Sequence, residues 1–352
     1  MKRRFPALVL VTSLVIATLC HAQETSTAPP LAEATGLPFE DGDRVLFLGD
    51  SITQDGKYVA FLEAYLWAKY PDKQITIVNM GVSAETVART TEPNHPPRPW
   101  AHDRVDNALA IAKPNWVFIC YGMNDGIYYP PRQDVQNAYV DEMGRLIERI
   151  KPTKAKVILL SPPPFDPFSK PIKAVKPPGE KIYGYNATYR LYDDTLIFLG
   201  GLARGAYEDE VHQCIDIHTP LQNYISTARA KRPGYRYGDG VHPPVDAHLV
   251  WALSLLEALG EDRKAAYAVL KSLTGVSIKT DEEINSSGNA KSILWRRLLK
   301  RFNRLSKAYR DNTRPETKAT PPNLKEAIAL AGKLETQLRK EVRSAAKIMI
   351  KN

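Results

Sequence analysis

The strongest constraint in this chain of 352 residues is an alternation of short, continuous apolar runs with stretches of helical spacing. Residues 44–48 read RVLFL, 74–79 QITIVN, 116–121 WVFICY, 156–160 KVILL and 213–217 QCIDI. Each has the length of a strand, and most are apolar without the every-other-residue pattern of a half-wet sheet. Between them, residues 58–70 place Phe61, Leu62, Tyr65 and Leu66 at helical spacing. Residues 103–112 read as a helix that stops before Lys113-Pro114, because a proline drives its predecessor out of the α region. Tyr139, Met143, Leu146 and Ile150 form one stripe over 135–150, and 247–259 reads as a closing helix. Strands without a wet face belong in a sheet covered on both sides. The pattern therefore predicts an α/β fold built on a parallel sheet with helices on both faces. Ligands of such sheets bind beyond the carboxyl ends of the strands, so the residues just after each strand carry most of the functional information.

Composition is ordinary, at 43% apolar and 25% charged, which excludes a disordered, collagenous or multi-span membrane chain. The formal net charge of +9 is unevenly placed. Residues 291–352 hold 17 Lys and Arg against 5 Asp and Glu, whereas residues 23–290 hold 28 against 34. The basic balance belongs to the C-terminal tail, so no nucleic-acid partner is expected for the body. Residues 1–22 have a basic start, an apolar run from Phe5 to Leu19 and a C-H-A ending. They read as a signal peptide cleaved near Ala22, which implies export to the periplasm or exterior. Leu19 before Cys20 argues against a lipid-anchor site. The expected division is 1–22 signal peptide, 23–40 flexible lead-in, 41–262 α/β domain and 263–352 basic helical extension.

Within that extension, Leu294, Leu298, Phe302, Leu305 and Tyr309 mark one amphipathic stripe; Leu324, Ile328, Ala331, Leu334, Leu338 and Val342 mark another. Residues 162–183 carry seven prolines and several lysines directly after the fourth strand, and read as a long loop over the active edge. Cys120 and Cys214 fall in the third and fifth strands. Two strand spacings are about 9–10 Å, beyond the roughly 7 Å between Cα atoms that a disulfide spans. Two free buried thiols are expected.

The first strand ends in Gly49-Asp50-Ser51, the second in Asn79-Met80-Gly81 and the third in Gly122-Met123-Asn124-Asp125. A serine at a strand-to-helix turn can be a nucleophile, or it can simply cap the helix. The N–H groups of Ser51 and Gly81 and the Asn124 amide offer three donors on one edge, as a developing oxyanion requires; otherwise Gly81 and Asn124 serve turn geometry alone. Asp239-Gly240-Val241-His242-Pro243 sets a carboxylate three residues before an imidazole. Asp239 can accept from Nδ1 and leave Nε2 to take a proton from a serine hydroxyl.

The blocks GDSIT, NMG, GMND and DGVHP, in this order over residues 44–259, resemble those of the SGNH (GDSL-type) hydrolases. The resemblance implies a three-layer α/β/α fold with a five-stranded, flavodoxin-like parallel sheet, and serine ester hydrolysis without a cofactor. It casts Ser51 as nucleophile, His242 as general base, Asp239 as its orienter, and Ser51, Gly81 and Asn124 as oxyanion hole. One departure is Ala84, where many relatives place a second glycine. Tyr121, Tyr128 and Tyr129 flank the Asn124 turn and are candidates for stacking on a sugar ring or lining an acyl slot.

Gly81-Val82-Ser83-Ala84-Glu85 nearly reads as the nucleophile elbow of another hydrolase fold, but its final glycine is missing. No His-rich ligand set accompanies Gly49-Asp50 or Asn124-Asp125, so no metal is expected. His95, His102, His212 and His218 lack paired motifs and read as structural or surface residues. The expected substrate is an acylated small molecule or polysaccharide, with glycan O-acetyl removal favoured. Short-chain lipid or aryl ester hydrolysis and acyl transfer to a glycan are alternatives. A non-enzymatic alternative is an envelope-binding protein held to an anionic surface by its basic tail.

Overall fold

The computed structural model describes residues 36–278, 290–314 and 323–350. The expected leader, 1–22, and most of the lead-in lie outside the described residues. The chain runs through β1 (Arg44–Gly49), α1 (Ser51–Asp55), α2 (Lys57–Lys69), β2 (Thr76–Asn79) and α3 (Val105–Ala112). It continues through β3 (Trp116–Cys120), α4 (Gln133–Ile150), β4 (Lys156–Leu160) and two short strands, β5 (Val175–Lys176) and β6 (Thr188–Tyr189). Then come α5 (Tyr192–Tyr207), β7 (Gln213–Ile215), α6 (His218–Lys231) and α7 (Val245–Ala258). The last three helices are α8 (Arg263–Thr274), α9 (Ala290–Asp311) and α10 (Leu324–Ile350).

The main sheet has five strands in the order β2-β1-β3-β4-β7, paired in parallel throughout. Alternate residues of one strand feed two different cores, which is why these strands are apolar on both faces. Val45, Phe47, Trp116 and Phe118 pack with α2, α6 and α7. Leu46, Leu48, Val117 and Ile119 pack with α3 and α4. Full burial of such a side chain contributes about 1.5–3 kcal/mol, so the sheet is the most stable platform available for a site.

The fifth strand stops at Ile215, two residues before the pattern suggested. Beyond it, Ser161 Oγ accepts from the N–H groups of Ile217 and His218 at 2.8 and 3.0 Å. Ile217 remains buried in the core without extending the ladder. Cys120 and Cys214 are both free, with β4 between their strands; Cys120 is buried, but Cys214, on the edge strand, is only half-buried.

Helices α8, α9 and α10 pack against α2. Trp295 stacks on Phe61 with centroids 4.3 Å apart. Leu298, Phe302, Leu338 and Val342 are buried beside them. The α10 stripe is narrower than its spacing suggested, because Ile328 and Leu334 are exposed. Arg301 sits in this interface between Glu63 of α2, at 2.6 Å, and Glu335 of α10. Among the described residues, no helix is long and apolar enough to cross a membrane.

Candidate active site

Strand β1 delivers Ser51 to the sheet's ligand edge through a crowded turn. A Cβ on Gly49 would lie 2.3 Å from Thr53 Oγ1 and 2.6 Å from the Cys120 carbonyl oxygen, so only glycine fits. Asp50, not Ser51, caps α1: its Oδ1 accepts from the Ile52 N–H at 2.9 Å. That leaves the Ser51 hydroxyl available for other partners. Burial pushes the Asp50 carboxyl up to about 7.

The Ser51 hydroxyl lies 2.8 Å from His242 Nε2. His242 Nδ1 lies 3.0 Å from Asp239 Oδ2, while Asp239 Oδ1 accepts from the N–H groups of Val241 and His242 at 2.9 and 2.7 Å. The turn depends on glycines. Gly238 and Gly240 have φ of 54° and 89°, and a Cβ on Gly238 would lie 1.8 Å from the His242 carbonyl oxygen. Burial alone would raise the Asp239 carboxyl, but the bonds from the His242 ring and the turn backbone hold it below the usual carboxylate range. In return, the bond to Asp239 raises the pKa of His242 above its ordinary value, against an opposing effect of burial. A carboxylate on Nδ1 fixes the tautomer that leaves Nε2 free to accept a proton from Ser51.

Asn124 stands on the turn after β3. Its Oδ1 accepts from Arg98 Nη1 at 3.1 Å and from the Tyr128 hydroxyl at 2.9 Å. Its Nδ2 donates to the Glu85 carbonyl oxygen at 3.2 Å, which leaves one amide N–H to offer. Gly81 does not supply the free donor that the sequence suggested. Its N–H donates to Asn79 Oδ1 at 3.0 Å, and its missing Cβ makes room for the α1 backbone, whose Gln54 nitrogen would lie 2.3 Å away. In the same loop, Ala84 holds φ of 62°, and its N–H has no hydrogen-bond partner among the described residues. A left-handed alanine is strained, and such strain clusters at functional sites. The departure from glycine at Ala84 was the sequence signal for it.

Residues 47–248 match the profile of the GDSL-like lipase/acylhydrolase family. The chain belongs to that family. This acylhydrolase is 26% identical over 240 residues to an acetylxylan esterase of Geobacillus stearothermophilus, covering 62% of this chain and 94% of the relative. A solved structure of a catalytic mutant of an acetylxylan esterase from Geobacillus stearothermophilus matches with a TM-score of 0.48 and 22% identity, over 64% of this chain and 97% of that one. A gut microbial diltiazem-metabolizing enzyme matches with a TM-score of 0.48 and 20% identity, over 65% of this chain. The match spans about half (49%) of that enzyme's length.

The three tyrosines of the acylhydrolase fall in different surroundings. Tyr121 is buried in the core, and its hydroxyl donates to Glu85 Oε2 at 2.6 Å, so it offers no face to a substrate. Glu85 is in turn paired with the buried Arg104. Tyr128 is also buried and serves Asn124 instead of a sugar ring. Only Tyr129 of the three is partly exposed, edge-on to Tyr183 with centroids 5.2 Å apart. Ser83 is exposed, and its N–H donates to Gln54 Oε1 at 2.8 Å. Among the histidines read as structural, His102 bonds the Glu142 carbonyl and His218 bonds Asp193. No cluster of three or more potential metal ligands occurs among the described residues.

Sequence reasoning missed three supports of the site. Arg98 is buried and held by Glu92, with Nε 2.7 Å from Oε2, and it orients Asn124. The Tyr185 hydroxyl donates to Asp239 Oδ2 at 2.9 Å, the same oxygen that meets His242. Lys170 Nζ donates to the Tyr185 carbonyl at 2.9 Å and lies 3.7 Å from that ring's centroid. Neither Arg98 nor Tyr185 sits in a motif, so only the folded chain reveals them.

Proposed function

We propose that this protein is an exported serine esterase that removes O-acetyl groups from a polysaccharide through an acyl-enzyme. The observation that carries the catalytic part is the continuous chain from Asp239 through His242 to Ser51, at 3.0 and 2.8 Å. Ser51 Oγ attacks the ester carbonyl as His242 Nε2 takes its proton. The tetrahedral oxyanion receives hydrogen bonds from the N–H groups of Ser51 and Ala84 and from the Asn124 amide. His242 then returns the proton to the departing sugar oxygen, and the C–O bond breaks to leave acetyl-Ser51. A water molecule, deprotonated by His242, attacks this ester; acetate leaves and Ser51 recovers its proton. The acetyl preference is supported by the acetylxylan esterase relative, and export by the charge and apolar pattern of residues 1–22.

Replacement Ser51→Ala tests the reading. The variant should keep its circular dichroism spectrum and melting point, yet lose turnover of p-nitrophenyl acetate and labelling by a fluorophosphonate. Retention of most activity would reject Ser51 as nucleophile. Asn124→Ala should lower kcat about 10²–10³-fold, the usual effect of removing one oxyanion donor, or about 2.7–4 kcal/mol of barrier. A periplasmic protein with an intact leader, seen by mass spectrometry of the N-terminal peptide, would overturn the cleaved-export reading.

A further inference from the structure

We infer that the glycan acted on at this site is anionic, carrying carboxylates of the uronate kind, and that the segment following β4 binds it. This rests on the esterase reading above and narrows its substrate.

The first observation is a reversal of charge beside the catalytic turn. Residues 162–190 and 229–236 together hold nine Lys and Arg against two Asp and Glu. The rest of residues 23–290 holds 19 against 32. An acidic body thus carries a basic region that borders the site.

The second observation is where the fold places it. The Asp166 N–H donates to the Gly240 carbonyl at 2.9 Å, inside the turn that presents His242. Tyr185 bonds Asp239, and Lys170 holds Tyr185 through its carbonyl and ring. On the other flank, the Tyr189 N–H donates to the Tyr128 carbonyl at 3.0 Å, next to the Asn124 turn. β5 and β6 pair with each other and tie the two flanks together. The segment therefore bridges the two turns that hold the catalytic groups. The end of α6 and the loop after it join the segment: Arg229 pairs with Asp166 at 2.6 Å, and the Arg236 side chain donates to the Phe168 carbonyl at 2.5 Å.

The third observation is that these cations are not neutralised. Of the nine, only Arg229 has a carboxylate within salt-bridge distance among the described residues. Lys173, Lys181 and Arg190 are exposed and Lys176 is half-buried. Unpaired cations gathered at the mouth of a site raise the local concentration of anionic substrate and its rate of encounter, in a salt-dependent way. A neutral glycan gains no such long-range attraction. An anionic membrane surface would also be attracted, but it would need a contiguous apolar face to enter the bilayer boundary. Here Ile172 and Ile182 are 89% and 52% exposed, and Phe168 lies between Arg229 and Arg236, 4.4 and 5.0 Å from its centroid. Exposed apolar groups among cations suit the CH faces and carboxylates of a uronate chain.

The experiment compares acetylated polygalacturonate, acetylated xylo-oligosaccharide and p-nitrophenyl acetate. The wild type should favour the anionic glycan over the neutral one in kcat/KM by about tenfold or more at low salt, and the ratio should shrink as ionic strength rises. The triple variant Lys173→Glu, Lys176→Glu, Lys181→Glu should lower that ratio by about tenfold or more, through KM, and the matching Lys→Arg variant should keep it. A control variant with Lys325→Glu, Lys333→Glu and Lys340→Glu on α10 should leave the ratio within about twofold. A wild-type ratio of one or less, or a ratio that ignores the 173/176/181 reversal, would overturn the proposal while turnover of p-nitrophenyl acetate upholds the esterase. Binding by the Ser51→Ala protein adds a readout without turnover. Salt-sensitive binding of unacetylated polygalacturonate, lost on reversal, supports the proposal. Binding of phosphatidylglycerol vesicles without binding of polygalacturonate would assign the cations to a membrane surface and overturn it.

Discussion

Two basic regions of this molecule use their cations in opposite ways. The C-terminal tail is the more basic by count, and its arginines largely act as clamps inside the protein. Arg301 bridges Glu63 and Glu335, Arg297 meets Glu341 at 2.5 Å, Arg339 meets Glu335 at 2.8 Å, and Arg343 donates to the Pro71 carbonyl. The segment after β4 has fewer cations, yet eight of its group of nine lack a carboxylate partner among the described residues. Net charge along a chain therefore locates cations without saying which are neutralised. The segment-by-segment balance placed the basic excess in the tail and offered it, as an alternative, as an envelope-binding surface. Folding brings acidic partners to the tail and leaves the catalytic rim unmatched.

The largest effect that can sharpen this contrast belongs to Arg301. It is almost fully buried, and removing it leaves Glu63 and Glu335 without their common partner. Arg301→Ala should destabilise the fold by about 3–5 kcal/mol, as expected when one member of a buried ion pair is removed. Urea unfolding checks this. A loss below about 1 kcal/mol would mean that the tail cations are as dispensable as surface ones.

Arg98 is the intermediate case, a buried cation that serves the site. Its Nη1 donates to Asn124 Oδ1, and its Nε and Nη2 to Glu92. Arg98→Gln should cost stability, because Glu92 stays buried. It should also lower kcat on p-nitrophenyl acetate about 10–100-fold with little change in KM, since a hydrogen bond involving a charged group contributes about 1.5–3 kcal/mol. Equal kcat in the soluble variant would reduce Arg98 to a structural ion pair.

How much of this was legible in the sequence follows from what each feature depends on. The strands and the helices that cover them follow from apolar runs and helical spacing, which are local; the flavodoxin-like sheet came only with the family resemblance, and Ser51, Asn124, Asp239 and His242 lie in short motifs at strand ends or in a Gly/Pro-bounded turn. Gly81 was misread because a glycine can serve a close approach as well as an exposed N–H; the α1 backbone at its missing Cβ decides between them. Tyr121 and Tyr128 were misread because adjacency in sequence does not reveal which face of a turn a ring occupies. Arg98 and Tyr185 were invisible because each acts on a residue 26 or 54 positions away, through contacts that exist only after folding.

The smallest expected effect concerns the proton on His242. The bond to Asp239 raises the imidazole pKa above 6.5, and the carboxylates of Asp50 and Asp55 add to that from α1 and its cap. Lys170 and Tyr185 face Asp239 from the segment after β4. Catalysis needs the neutral ring, so kcat/KM should fall on the acid side with a midpoint above 6.5. Asp239→Asn removes the charge that favours imidazolium, and the midpoint should move down as maximal kcat drops. Tyr185→Phe removes a donor that competes for Asp239 Oδ2. The carboxylate is then left more fully to the ring, and the midpoint should move up. Stability carries the same linkage. A raised folded pKa favours the native state most below the unfolded value of 6.5, and that contribution disappears as pH rises through the folded pKa. The wild type should thus lose a small increment of stability over that window, and Asp239→Asn should not. Identical acid limbs in the wild type and Tyr185→Phe would show that the segment after β4 touches the triad without tuning it, leaving its cations alone to justify its place at the rim.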